Sequence, residues 1–228
     1  MLKINNKVLK INGDWLNPVV SPEPPVPEPL PLYTLRLLFK DGVTPTFSKG
    51  TGVQLSTSPN IWDLTYENSE WYLILSRQYD LLEVIDINTA GVTDMRYMFE
   101  RCTSLTSVSL FDTSTVTNMN FMFTQCTSLT NIPLFDTSNV TSMNHMFNEC
   151  TSLTSVPLLN TSKVTNMSYM LYNCTNVQSG ALALYNQASS QTNPPTYHEQ
   201  TFGNCGRDTA TGSAELAQIP SSWGGTGT

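Results

Sequence analysis

Phe111–Leu134 reads FDTSTVTNMNFMFTQCTSLTNIPL, and Phe135–Leu158 reads FDTSNVTSMNHMFNECTSLTSVPL. Placed one above the other, the two phrases agree at most positions, and the agreement runs on at a step of 24 in both directions. Cys102, Cys126, Cys150 and Cys174 form one column. Val92, Val116, Val140 and Val164 form another, and Met95, Met119, Met143 and Met167 a third. Met98, Met122, Met146 and Met170 are followed by Phe99, Phe123, Phe147 and Leu171. Self-similarity at a fixed step marks stacked units, each too small to bury its own apolar side and each completed by its neighbours.

The two halves of a unit have different periods. Val116, Met119, Met122, Phe123 and Cys126 fall at i, i+3, i+6, i+7 and i+10, the spacing of one face of a short helix. Leu129, Ile132 and Leu134 follow as L-x-x-I-x-L, the last two alternating as strand residues that face one side. Asp112-Thr113-Ser114 between the halves suits a turn or a helix N-cap. The pattern predicts an α/β repeat solenoid, leucine-rich-repeat-like, with a 24-residue period and a parallel strand ladder joined by short helices. A heptad coiled coil is excluded, because 24 is no multiple of seven and Thr/Ser clusters interrupt each unit.

These phrases resemble the BspA-like leucine-rich repeats of bacterial surface proteins, over about residues 81–177. The segment Tyr33–Asp80 and the stretch NVQSGALALYNQAS resemble small repeat proteins of tailed phages of gut bacteria, crAss-like phages among them. The resemblance implies surface display and adhesion rather than a reaction.

Five segments are expected. Residues 1–17 alternate apolar and polar side chains around Asn5-Asn6, as a small hairpin or strand pair does, and serve as an anchor peptide through Leu2, Ile4, Val8, Leu9, Ile11, Trp15 and Leu16. A peptide of that length buries too little to fold alone, so it folds against another copy or a larger assembly. Residues 18–31 hold seven prolines and form a semi-rigid stalk. Residues 32–80 form a β-rich N-terminal cap, with strands at Tyr33–Phe39, Gly52–Ser56, Ile61–Tyr66 and Trp71–Leu75 and a turn at Asp41-Gly42. Residues 81–177 are the repeats. Residues 178–228 form the C-terminal cap, with helices at Gly180–Ser189 and Ala214–Gln218.

The formal net charge is −7 and only 13% of residues are charged, so nucleic acid is not an expected partner. No apolar run is long enough to cross a membrane. The first residues lack the apolar stretch of a secretory signal, which favours a virion protein assembled in the cytoplasm over an exported adhesin.

No catalytic, cofactor or metal site is expected. There is no nucleophile elbow, Walker loop or H-E-x-x-H, and no C-x-x-C or histidine column for zinc. The four cysteines read as small thiols packed in identical slots, with Cys205 apart from them and able to lie near Cys174. Asn88, Asp112, Asp136 and Asn160 read as a turn ladder as readily as a run of calcium sites.

The best binding candidate is the column Tyr97, Phe121, His145 and Tyr169, with Arg96, Asn120 and Asn144 beside it. It is expected on the outer helical face, where aromatic rings stack on sugars, or else cover seams between units. The Thr106, Thr130 and Thr154 side is neutral and hydroxyl-rich. The expectation is a non-enzymatic phage virion surface protein, a capsid or tail fibre or decoration. It is attached to virion proteins and to further copies of itself through the N-terminal segment. Its partner is a host-surface or mucosal glycan or protein. A bacterial cell-surface adhesin is the alternative, and a glycan-degrading fibre a weaker one.

Overall fold

The structure is a computed structural model. It describes residues 34–47, 51–65 and 75–228, together with the backbone of four two-residue strands that precede them. Those strands are β1 (Lys3–Ile4) with β2 (Lys7–Val8), and β3 (Lys10–Ile11) with β4 (Asp14–Trp15), two short antiparallel pairs. The proline stretch 18–31, residues 71–74 of an expected strand, and the side chains of Leu2, Ile4, Val8, Leu9, Ile11, Trp15 and Leu16 lie outside the described residues.

One mixed sheet of five strands follows. It contains β5 (Thr34–Phe39), β6 (Thr51–Thr57), β7 (Asn60–Thr65), β8 (Leu81–Ile87) and β9 (Ser107–Val108), in the order β6-β7-β5-β8-β9. The first four strands pair antiparallel, and β8 pairs parallel with β9. Alternate residues of β5 explain its place: Leu35, Leu37 and Phe39 are at most 1% exposed and meet Ile87, Val84 and Leu81 of β8. On the opposite face Arg36 clasps Asp63 through two hydrogen bonds of 2.8 Å.

The expected α/β solenoid is overturned. Among the described residues the only α-helices are α1 (Ala181–Ser189) and α2 (Ala210–Leu216), both beyond the repeats, and the expected helix at Ala214–Gln218 is replaced by α2 four residues earlier. The chain turns into α1 at Gly180, at φ 96°, where an added Cβ would strike the Val156 carbonyl. The segments that carry helical spacing are runs of turns. Their inward pattern holds, since Val116, Met119, Met122, Phe123 and Cys126 are all fully buried. The backbone differs because two residues per unit adopt left-handed conformations, Phe121 at φ 58° and Gln125 at φ 61°. Each reverses the turn of the chain, so a continuous i to i−4 ladder cannot form.

The freed groups pair between units instead. Met119, Phe121, Phe123 and Gln125 donate to the carbonyls of Ser142, Asn144, Met146 and Asn148, at 3.1, 2.9, 2.9 and 2.8 Å. Met122, Thr124 and Cys126 donate back to the residue three before them. Every second amide thus joins its own turn and every other one joins the next rung, which satisfies the buried backbone without a helix.

The strand half is also shorter than expected. Only Ser107–Val108 is a strand beyond β8 among the described residues, and later rungs keep single contacts such as Thr130 N to Thr106 O and Thr154 N to Thr130 O. The inner face of β8 opens three core columns: Leu81 leads to Leu105, Leu129 and Leu153; Val84 to Val108, Ile132 and Val156; Ile87 to Phe111, Phe135 and Leu159. The antiparallel strands therefore close one end of a single core. That core runs unbroken to Trp223.

Candidate functional site

The left-handed residues of the turn halves include the predicted aromatic column. Tyr97, Phe121, His145 and Tyr169 have φ between 55° and 58°. At that backbone geometry the side chains leave the rung sideways and meet one rung above the other. Ring centroids are 4.8, 4.6 and 4.8 Å apart, and the planes are tilted by only 13–19°. All four rings are half-buried. Stacking covers the face of each ring with its neighbour and leaves the rim to solvent. A sugar cannot lie on the faces between rungs, so the column joins rungs to each other and offers edges outward.

The flanking residues are also engaged. Asn120 Oδ1 accepts from Asn144 N at 2.9 Å and from Ser142 Oγ at 2.6 Å. Asn144 Oδ1 lies 2.8 Å from His145 Nδ1. Arg96 is held by Asp94 at 2.9 Å. Four residues on, a polar column runs in parallel: Arg101 Nε donates to Gln125 Oε1 at 2.7 Å, and Gln125 Nε2 to Glu149 Oε2 at 3.0 Å. The imidazole of His145, between Phe121 and Tyr169, is shifted below the ordinary histidine pKa by desolvation. The predicted residues are thus brought together, as one preorganised strip across four rungs.

The cysteine column is buried and chemically quiet. Each Sγ donates to a carbonyl of the preceding rung: Cys102 to Leu75, Cys126 to Phe99, Cys150 to Phe123, Cys174 to Phe147, at 3.0–3.1 Å. Burial pushes Cys102 and Cys150 up to about 12, and Cys126, Cys174 and Cys205 well above the usual thiol value. All five are free thiols.

Cys205 belongs to the same column. Met167, Tyr169, Leu171 and Asn173 donate to Tyr197, Glu199, Thr201 and Gly203, repeating the pattern of the rungs before. Gln200 and Asn204 take the left-handed places of Tyr169 and Asn173. This last rung lies 31 residues on rather than 24, the difference accommodating α1, and so escapes a fixed-step reading of the sequence. A further rung precedes the repeats, where Leu75 and Arg77 donate to Met98 and Glu100.

Asp112, Asp136 and Asn160 form the turn ladder. Their side chains accept from the amides of Ser114, Ser138 and Ser162, each at 2.9 Å. Both carboxyls are held below the usual range, first by the hydrogen bond from the serine side chain. Among the described residues no group of three or more His, Cys, Asp or Glu is placed to hold a metal ion.

A feature not foreseen from the sequence lies beside that ladder. Leu110, Leu134 and Leu158 are 67%, 62% and 54% exposed, whereas the residues after them, Phe111, Phe135 and Leu159, are buried. The L-x-x-I-x-L reading places Leu134 with Ile132 in the core. Instead Phe135 N bonds back to Pro133 O at 2.9 Å, and this turn breaks the alternation and sends the larger ring inward. The repeated Phe111 and Phe135 were the available signal. The three leucines stand as a ridge, and a groove of about 390 Å³ is lined by Leu110, Phe111, Asp112, Thr113, Leu134 and Asp136.

No curated protein and no solved structure is matched by this chain. A family model described as "Mycoplasma protein of unknown function, DUF285" matches residues 75–184, from the rung of Leu75 to the middle of α1, so the evenly spaced rungs are similar to that family.

Proposed function

We propose that this chain is a non-enzymatic display protein, a phage virion fibre or decoration on capsid or tail, whose rung stack is a binding head for a host-surface or mucosal glycan or protein. Residues 1–31 carry the head and join it to virion proteins or to further copies of the chain. The supporting observation is the division of labour within each rung. Inward columns of Met, Phe and Cys stay nearly constant and fully buried. Outward columns change chemical class: Arg96, Asn120, Asn144 and Ser168; Arg101, Gln125, Glu149 and Asn173. A frame that fixes its core and varies its rim suits recognition of an extended ligand laid along the rungs. Ring edges and amides supply the contacts, since the ring faces are already covered.

Cryo-electron microscopy of purified particles, with mass spectrometry of the same fraction, tests the carrier. The chain is expected on virions at a defined position. Its presence on cell envelopes and absence from particles would replace this reading with a bacterial surface adhesin.

A further inference from the structure

We propose that the leucine ridge is the seat of residues 1–15 of a second copy of this chain, and that copies associate through it. The inference goes beyond the display role and stands without it.

The ridge and the carboxylates form the two walls of one groove. One wall is Leu110 and Leu134, continued by Leu158, each held out of the core by the buried residue that follows it. The other wall carries Asp112 and Asp136, exposed and fixed by their serine turns. A strand laid along such a groove turns alternate side chains to opposite walls. Its complement has apolar residues facing the leucines and cations facing the carboxylates.

Residues 1–15 have that pattern twice, in Leu2-Lys3-Ile4 and Leu9-Lys10-Ile11. Lys3–Ile4 and Lys10–Ile11 are strands in the structure. Three of the 11 cationic residues of the chain are Lys3, Lys7 and Lys10, and all 18 acidic residues come after them. The ridge is long enough for one such triad: three leucines span two rung steps of about 4.8 Å, and the apolar pair of a triad lies two extended steps of about 3.3 Å apart.

A second copy is the occupant because of what lies between. Residues 18–31 are 14 residues with seven prolines, a composition whose full extended length is about 40 Å at about 3 Å per residue. That reach is several times the length of the ridge. The spacer leads into Thr34, beside Leu35, which pairs with Ile87 at the foot of the Phe111 column. A proline-rich composition resists the sharp reversal that would return residues 1–15 to their own groove, which makes a neighbour's groove the one they fill.

Sedimentation of the full chain against concentration tests the proposal. The wild type is expected to self-associate. The triple variant Leu110→Ser, Leu134→Ser, Leu158→Ser is expected to associate at least about tenfold more weakly with its melting temperature unchanged. Asp112→Asn with Asp136→Asn keeps the turn, as Asn160 does in the same column, and is expected to weaken association and flatten its salt dependence. Lys3→Glu with Lys7→Glu and Lys10→Glu is expected to do the same. Oxidising an equimolar mixture of Ile4→Cys chains and Leu134→Cys chains is expected to link two copies, since the native thiols are buried. A full chain that stays monomeric at the highest concentration, or association indifferent to these variants, overturns the proposal. A chain carrying both cysteines that links mainly within itself overturns the second-copy assignment. None of these readouts involves particles or host ligands, so failure here leaves the display role separately testable.

Discussion

Asn204 Nδ2 donates to Asn173 Oδ1 at 2.8 Å, and the two are consecutive members of one column although 31 residues separate them. Both backbones are left-handed, at φ 58° and 59°. Asparagine tolerates that region better than most residues because its short amide can bond locally. Asn204→Ala removes the hydrogen bond and keeps the strain, and is expected to cost about 2 kcal/mol. Asn204→Gly relieves the strain and is expected to cost about half as much. Urea unfolding of the two variants measures the difference; equal losses would mean that the backbone geometry contributes nothing.

His145 gives the rung stack a pH dependence of known sign. Its pKa is depressed in the folded chain by desolvation between Phe121 and Tyr169. The unfolded chain therefore binds a proton more readily. The stability contribution is complete above the unfolded pKa of about 6.5 and is lost as pH falls through the folded value. Asp112 and Asp136 are also depressed, but their contribution is lost only below the ordinary carboxylate range, so the windows are separate. His145→Phe, which repeats the Phe121 ring, is expected to flatten the stability profile between about pH 7 and pH 5. An unchanged slope would place its origin elsewhere.

The five buried thiols are expected to resist a thiol reagent in the native state, since each is raised above its ordinary pKa and closed off from solvent. All five are expected to react once the chain is unfolded in denaturant. One thiol reacting quickly in the folded protein would show that its rung opens locally.

Neighbours Leu134 and Phe135 are expected to behave oppositely. Phe135 is 2% exposed and Leu134 is 62% exposed. Phe135→Ala is expected to destabilise by about 3–5 kcal/mol. Leu134→Ala is expected to stay within about 0.5 kcal/mol. Thermal melts of the two variants, compared at one concentration, check the assignment of the two columns.

The 24-residue step of Cys102, Cys126, Cys150 and Cys174, the inward residues of the turn halves and the strands Thr34–Phe39 and Asn60–Thr65 could all be read in the chain. Hydrophobic spacing reports which side chains point inward, and Val116, Met119, Met122, Phe123 and Cys126 point inward in either backbone. Of the candidate site, the aromatic column was legible as a column, because a fixed step places equivalent residues together. Its ring-on-ring geometry was not, because that depends on the left-handed φ of each aromatic residue.

The order of residues alone dictates the periodicity, the core columns and the neutral, hydroxyl-rich character of the units. Packing in three dimensions is what makes the turn halves something other than helices, lets Cys205 close the thiol column, and leaves Leu110, Leu134 and Leu158 outside. The first two share one cause. A helix satisfies its amides within one segment, whereas Phe121, Phe123 and Gln125 satisfy theirs on the next rung, 23 residues away, and Tyr169 and Leu171 satisfy theirs 30 residues away. Leu134 and Leu158 are turned out where Phe135 N bonds to Pro133 O and Leu159 N to Pro157 O, which exchanges which neighbour faces the core. Pairings at such separations leave no signature in any local window of sequence, because the partner that completes each amide belongs to another rung.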